Sequence, residues 1–237
     1  MPGSGKSTLV PLLTAAVPDA VELGDAVRSA VARTGSDRLS RLGARVGSDR
    51  LWDIAYARST DRFSGLVRFT HQHPEFVGAV VQAQRERRDR DRDPEVVLEW
   101  LLNLMARFQL ATERPARQSI VIDEGFAQRG VALFAAGHSG EDRPGVERYV
   151  SAAPKPDVVI GIQTPLDVCA ERLDRRGWSQ RLSGADEEER RRFLGNCQEV
   201  VEQISDLLQN SGTQVIWVSG TTPAPDSVLQ ISAKLRT

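Results

Sequence analysis

Met1-Pro2-Gly3-Ser4-Gly5-Lys6-Ser7-Thr8 opens the sequence and runs directly into Leu9-Val10-Pro11-Leu12-Leu13. Glycines at positions 3 and 5 let successive backbone N–H groups turn inward around an anion. An apolar helix beginning at Lys6 would aim its positive end at the same point. In such a loop Lys6 reaches the β- and γ-phosphates of a nucleotide, and the Ser7 hydroxyl ligates Mg²⁺. The segment Gly3, Ser4, Gly5, Lys6, Ser7 and Thr8 is therefore the expected nucleotide-binding set. The full pattern has one more glycine ahead of Ser4 and a β-strand feeding the loop; both are expected upstream of Met1, on roughly ten further residues, given a usual strand length.

Working outward, short apolar runs alternate with helical patterns. Ala20-Val21-Glu22-Leu23, Ser119-Ile120-Val121-Ile122, Asp157 to Ile162 and Thr213 to Val218 read as strands, the last three as strands buried on both faces. Helical periodicity covers 26–34, 126–136, 165–176, 186–210 and 224–235. Strand–helix alternation predicts an α/β fold with a parallel sheet between helices. Ligands then gather at the carboxyl ends of the strands. Residues 36–115 break the rhythm and read as a helical insertion, with helices over 75–86 and 95–111. Gln84 to Asp93 holds five arginines and four acids, the pattern of a solvated face.

Bulk properties narrow the class. The 237 residues carry 31 Lys+Arg against 32 Asp+Glu, a net charge of −1, which argues against a nucleic-acid or anionic-membrane coat. No apolar run is long enough to span a bilayer. Two cysteines, Cys169 and Cys197, form no framework, and with no secretory leader the expectation is a cytoplasmic protein. His71, His73 and His138 lack metal-ligand spacing. The whole chain reads as a single domain. The apolar face of 95–111 suits a second copy as well as the core, which leaves a homodimer open.

Two further motifs follow strands. Asp123-Glu124-Gly125-Phe126 places two carboxylates after a buried strand: Asp123 suits Mg²⁺, and Glu124 suits a general base, with Asp25 the alternative. Arg172, Arg175 and Arg176 share one side of a helix, with Arg181 just beyond. Guanidiniums so placed can neutralise a transferring phosphoryl group.

Together, Gly-Ser-Gly-Lys-Ser-Thr, Leu23-Gly24-Asp25-Ala26-Val27-Arg28, Asp123-Glu124-Gly125-Phe126 and Asp157 to Ile160 followed by Glu171-Arg172-Leu173 and Arg175-Arg176 resemble the nucleoside-monophosphate kinase group of P-loop kinases. The Gly-Asp-x-x-Arg segment is most similar to adenylate kinases, as is Asp123 to Arg129 with its inserted Glu. The strand–helix–arginine segment is similar to thymidylate kinases. The resemblance spans about 1–35 and 117–237. It implies a three-layer P-loop NTPase fold, ATP and Mg²⁺ as cofactors, and an arginine lid over 172–184. By that resemblance Lys6, Asp123, Glu124, Arg172 and Arg176 are catalytic; Arg172, Arg175 and Arg181 bind ATP; Ser7 and Asp123 hold the metal. Asp25, Arg28 and Arg129 would meet the acceptor, and Gly220 to Pro225 would border the adenine.

The 36–115 stretch matches no acceptor-binding pattern of the group. The expected activity is phosphotransfer from ATP to a small-molecule acceptor bound by 36–115: a nucleotide, a nucleoside or modified nucleoside, a sugar, an antibiotic-like compound or a lipid-linked one. The alternative is a regulatory ATPase with a protein partner, supported by the Asp123–Glu124 pair and the large insertion. Nucleic acid and membrane are not expected partners.

Overall fold

The computed structural model describes residues 2–45, 48–86, 94–113, 118–137, 143–179 and 182–235. Arg181, His138 and most of the charge-dense Gln84–Asp93 stretch lie outside them. The described chain is mostly helical, with two small parallel sheets of two strands each.

In order, α1 (Lys6–Ala16) leads to β1 (Ala20–Glu22) and α2 (Leu23–Thr34). The insertion follows as α3 (Arg38–Arg45), α4 (Asp49–Ala57), α5 (Thr60–Gln72), α6 (Pro74–Glu86) and α7 (Pro94–Thr112). Then come β2 (Ser119–Val121), α8 (Phe126–Phe134), α9 (Arg143–Ala152), β3 (Val158–Gln163), α10 (Leu166–Arg176), α11 (Glu187–Asn210), β4 (Gln214–Ser219) and α12 (Ala224–Lys234).

All four expected strands form, within a residue or so of the expected ends, and both pairings are parallel. β1 runs beside β2 with Val21 opposite Ile120. β3 runs beside β4 from Val158 opposite Gln214 to Gln163 opposite Ser219. They do not form one sheet: among the described residues no strand bridges β2 and β3. Alternation along β4 sends Ile216 and Val218 to a cluster with Leu9 and Leu13 of α1 and Val228 and Ile231 of α12. Trp217 points the other way, beside Val201 of α11. Its indole lies over Gly161, its cross-strand partner, where a Cβ would come within 2.4 Å of the ring.

The insertion is not a separate body. Phe69, Phe76, Leu101 and Met105 are buried in one cluster with Phe126, Tyr149 and Leu194. Phe126 meets Phe69, Phe76 and Phe108 at 5.7, 5.0 and 5.3 Å between ring centroids, the offset or edge contacts that aromatic quadrupoles favour. A smaller cluster joins Val27 and Val31 of α2 to Trp52 and Tyr56 of α4. Helices α3, α4 and α5, and also α9, lie where sequence periodicity assigned none.

Asp61, buried near the start of α5, closes the α2–α3 corner. Oδ1 accepts from the Ser36 amide at 2.7 Å and the Ser36 hydroxyl at 2.8 Å; Oδ2 accepts from the Ser40 hydroxyl at 2.6 Å. Burial pushes this carboxyl up, but the Ser40 and Ser36 hydroxyls and the Ser36 and Asp37 amides outweigh it and hold the pKa below the ordinary value. Asp61→Ala should cost about 2 kcal/mol in urea unfolding, because it removes the shared acceptor of the buried Ser40 hydroxyl and of the part-buried Ser36 amide and hydroxyl. The carboxylate's contribution is full above the usual Asp range near pH 4 and fades as pH falls through the lower folded-state value. The gap in urea midpoint between wild type and Asp61→Asn should therefore close in acid.

Candidate functional site

The loop before α1 is shaped by its glycines. Gly3 has φ +73° and Gly5 φ +98°, both left-handed. A Cβ on Gly3 would lie 2.8 Å from the Cys169 carbonyl oxygen, so position 3 needs glycine for conformation and for space. No side chain caps the start of α1, and its first turn holds no acid. Its first N–H groups thus lack the usual side-chain acceptor and present a positive end. Ser7 and Thr8 are exposed there, while Ser4 is buried and its hydroxyl finds no partner among the described residues.

Two neighbouring turns hold this loop. Arg172 of α10 donates to the Gly3 carbonyl at 3.2 Å and to the Gly220 carbonyl at 2.9 Å. Thr164, after β3, donates to the Ser4 carbonyl at 3.4 Å. Gly220 follows β4, and a Cβ there would collide with the Thr164 hydroxyl. Between the three segments lies an open cleft of about 320 Å³, lined by Gly5, Thr8, Ile162, Arg172, Gly220 and Ser227 among others.

The charges that act on Lys6 lie at the end of β2 and on α10. Burial lowers its pKa, Asp123 and Glu124 raise it in opposition, and Arg176 adds to the lowering. Asp123 is pushed up by burial, drawn back by Lys6 and raised further by Glu124. One ammonium among two carboxylates, with a second cation close by, is an arrangement that an added polyanion and a divalent cation would rebalance. Among the described residues no cluster of three or more His, Cys, Asp or Glu forms a metal site by itself.

The carboxylate turn is fixed from behind. Tyr149 of α9, fully buried, donates to the Phe126 carbonyl at 2.8 Å, and burial pushes its phenol up. Gly130 leaves room for that ring. Arg129 donates to Glu124 Oε2 at 2.5 Å, and its guanidinium lies 4.8 Å from the ring centroid of Trp100 on α7.

No family model, curated protein or solved structure matches this chain.

Of the residues singled out in the sequence, the fold gathers Gly3 to Thr8, Asp123, Glu124, Arg129, Arg172 and Arg176 around the loop. Arg28 is instead paired with Asp49 at 2.7 Å and lies over Trp52; Asp25 is exposed on the first turn of α2. Arg175 is exposed and paired with Glu171 one turn away. Arg172 holds main-chain carbonyls, a positioning role that the sequence did not indicate. Trp100, Thr164 and Tyr149 were also missed. Trp100 alone had a readable signal, since it falls off the apolar stripe Val97, Leu98, Leu101, Leu102, Met105 and Phe108. Arg172→Ala should release both carbonyls, and amide exchange over 3–8 and 219–222 should accelerate about tenfold or more while the Tyr149 region is unchanged.

Proposed function

We propose that this chain is an ATP-dependent phosphotransferase acting on a small-molecule acceptor. The observation that carries the reading is Lys6 at the uncapped start of α1, between the carboxylates after β2 and the Arg172–Gly220 cleft after β3 and β4. The fold that goes with it is of the three-layer P-loop NTPase type, with the parallel β1–β2 and β3–β4 pairs as parts of its sheet. It is the fold implied by the likeness of the loop, the carboxylate turn and the arginine helix to nucleoside-monophosphate kinases.

On this reading the backbone N–H groups of Gly3 to Thr8 and the Lys6 ammonium take the β- and γ-phosphates. The cleft beside Gly220 takes the base. Ser7 and Asp123 would hold Mg²⁺, which neutralises phosphate charge when bound. Arg172 positions the loop through its two carbonyl bonds, and Arg176, the exposed cation whose charge acts on Lys6, is placed to meet the transferring group. The acceptor oxygen bonds to the γ-phosphorus as the bond to the β,γ-bridging oxygen breaks and ADP departs. The acceptor's proton passes to the Glu124 carboxylate, which Arg129 holds in place. Positioning and charge carry most of the rate, since the transition state is loose.

The test is ATP consumption with Mg²⁺ across nucleosides, nucleoside monophosphates, sugars and aminoglycosides. One class should stimulate turnover, and Lys6→Ala should remove at least about a hundredfold of the stimulated rate. Mg·ATP binding with stimulation by no small molecule would overturn the transferase and favour a nucleotide-dependent regulatory module. No Mg·ATP binding at all would overturn both.

A further inference from the structure

Trp100 is out of place for a helix residue of this insertion. The residue is 43% exposed, although α7 otherwise buries Leu101, Leu104 and Met105 against the core. One of its faces is occupied by the Arg129 guanidinium, and Arg129 in turn bonds Glu124, the second carboxylate after β2. An exposed indole is thus anchored, through a single guanidinium, to the group next to Lys6. Cation–π contact fixes the ring's tilt and leaves its other surface for a ligand. Aromatic rings in such positions stack on planar rings, tolerantly of ring identity.

The charges nearby say what the ligand lacks. The two arginines that a phosphate-bearing acceptor would be expected to meet are committed elsewhere: Arg28 to Asp49 at 2.7 Å and Arg129 to Glu124 at 2.5 Å. Arg107, on the same helix as Trp100, lies 3.7 Å from Asp53 and over the Tyr56 ring. An anion at the Trp100 ring would compete with Glu124 for the Arg129 guanidinium, a charge-assisted hydrogen bond. A neutral ring-bearing alcohol would not.

We infer that Trp100 is the stacking platform of the acceptor site, and that the acceptor is an uncharged, planar-ringed alcohol of the nucleoside class rather than a phosphate ester. This rests on the phosphotransferase reading above. The hydroxyl oxygen takes the γ-phosphoryl group from ATP, its proton goes to Glu124, and ADP leaves, so no further reactant is needed.

The experiment uses the full chain with Mg·ATP and, as acceptors, adenosine, thymidine, their 5′-monophosphates, glucose and kanamycin. Nucleosides should stimulate ATP consumption more than their monophosphates. Trp100→Leu should raise nucleoside KM about tenfold or more, Trp100→Phe should restore most of the loss, and KM for ATP should stay unchanged in both. Adenosine should quench the fluorescence of wild type and leave that of Trp100→Phe, which retains Trp52, Trp178 and Trp217, nearly unchanged. Preference for the monophosphates or for glucose or kanamycin, or a nucleoside KM indifferent to Trp100→Leu, overturns the inference while leaving the transferase intact. Failure of wild type to bind Mg·ATP in calorimetry overturns the transferase reading and this inference with it.

Discussion

One guanidinium holds the candidate site together. Arg172 uses two of its donors on the carbonyls of Gly3 and Gly220, groups 169 and 48 residues away in the chain. The rigid fork of an arginine can span both; a lysine, with one point of charge, cannot. Because the Gly3 carbonyl is fixed, the left-handed turns at Gly3 and Gly5 are fixed, and with them the direction of α1's first N–H groups. The close approach of Gly3 to the Cys169 carbonyl is the steric half of the same constraint. Remove either and the loop has no reason to keep its curl.

The opposite wall is set by aromatic packing backed by a buried hydrogen bond. Phe126 begins α8 immediately after the carboxylate turn, and its ring is wedged among Phe69, Phe76 and Phe108 of the insertion. Tyr149 ties the same residue's carbonyl from below. The carboxylates are therefore attached mechanically to α5, α6 and α7. A change in how those helices pack is transmitted to Asp123 and Glu124 without any change in the loop.

Much of this was legible in the sequence because it is local. The strand at Asp157 to Ile162 and the helix at 95–111 announce themselves by apolar runs and by period, and the loop by its glycines. Helix α3 is eight residues long with three arginines, so its pattern is drowned by charge, and α4 and α9, of nine and ten residues, span too few turns to show a period. The pairing of Arg28 with Asp49 joins positions 21 apart whose meeting depends on how α2 and α4 pack. No local periodicity carries that information, so Arg28 read as an acceptor ligand. Trp100 was visible as a residue off its stripe, but its value depends on Arg129, one strand and one turn away in the fold. That two parallel pairs form in place of one sheet follows from the absence, among the described residues, of a strand between β2 and β3.

The register of β1 against β2 has a kinetic consequence. Ala20 pairs with Ser119, so the whole insertion lies inside the loop that this pairing closes. Closing a flexible chain of that length costs entropy before the short ladder returns anything, whereas the same closure is cheaper once α3 to α7 have condensed and brought the ends near. Sheet β1–β2 should thus be among the last elements to assemble, after the longer β3–β4 ladder and its flanking helices. The carboxylates at the end of β2 and the loop opposite them arrive from different folding units. The chain can acquire nearly all of its helix before Lys6 and the carboxylates at the end of β2 are brought together, and the site comes into being only with the final closure.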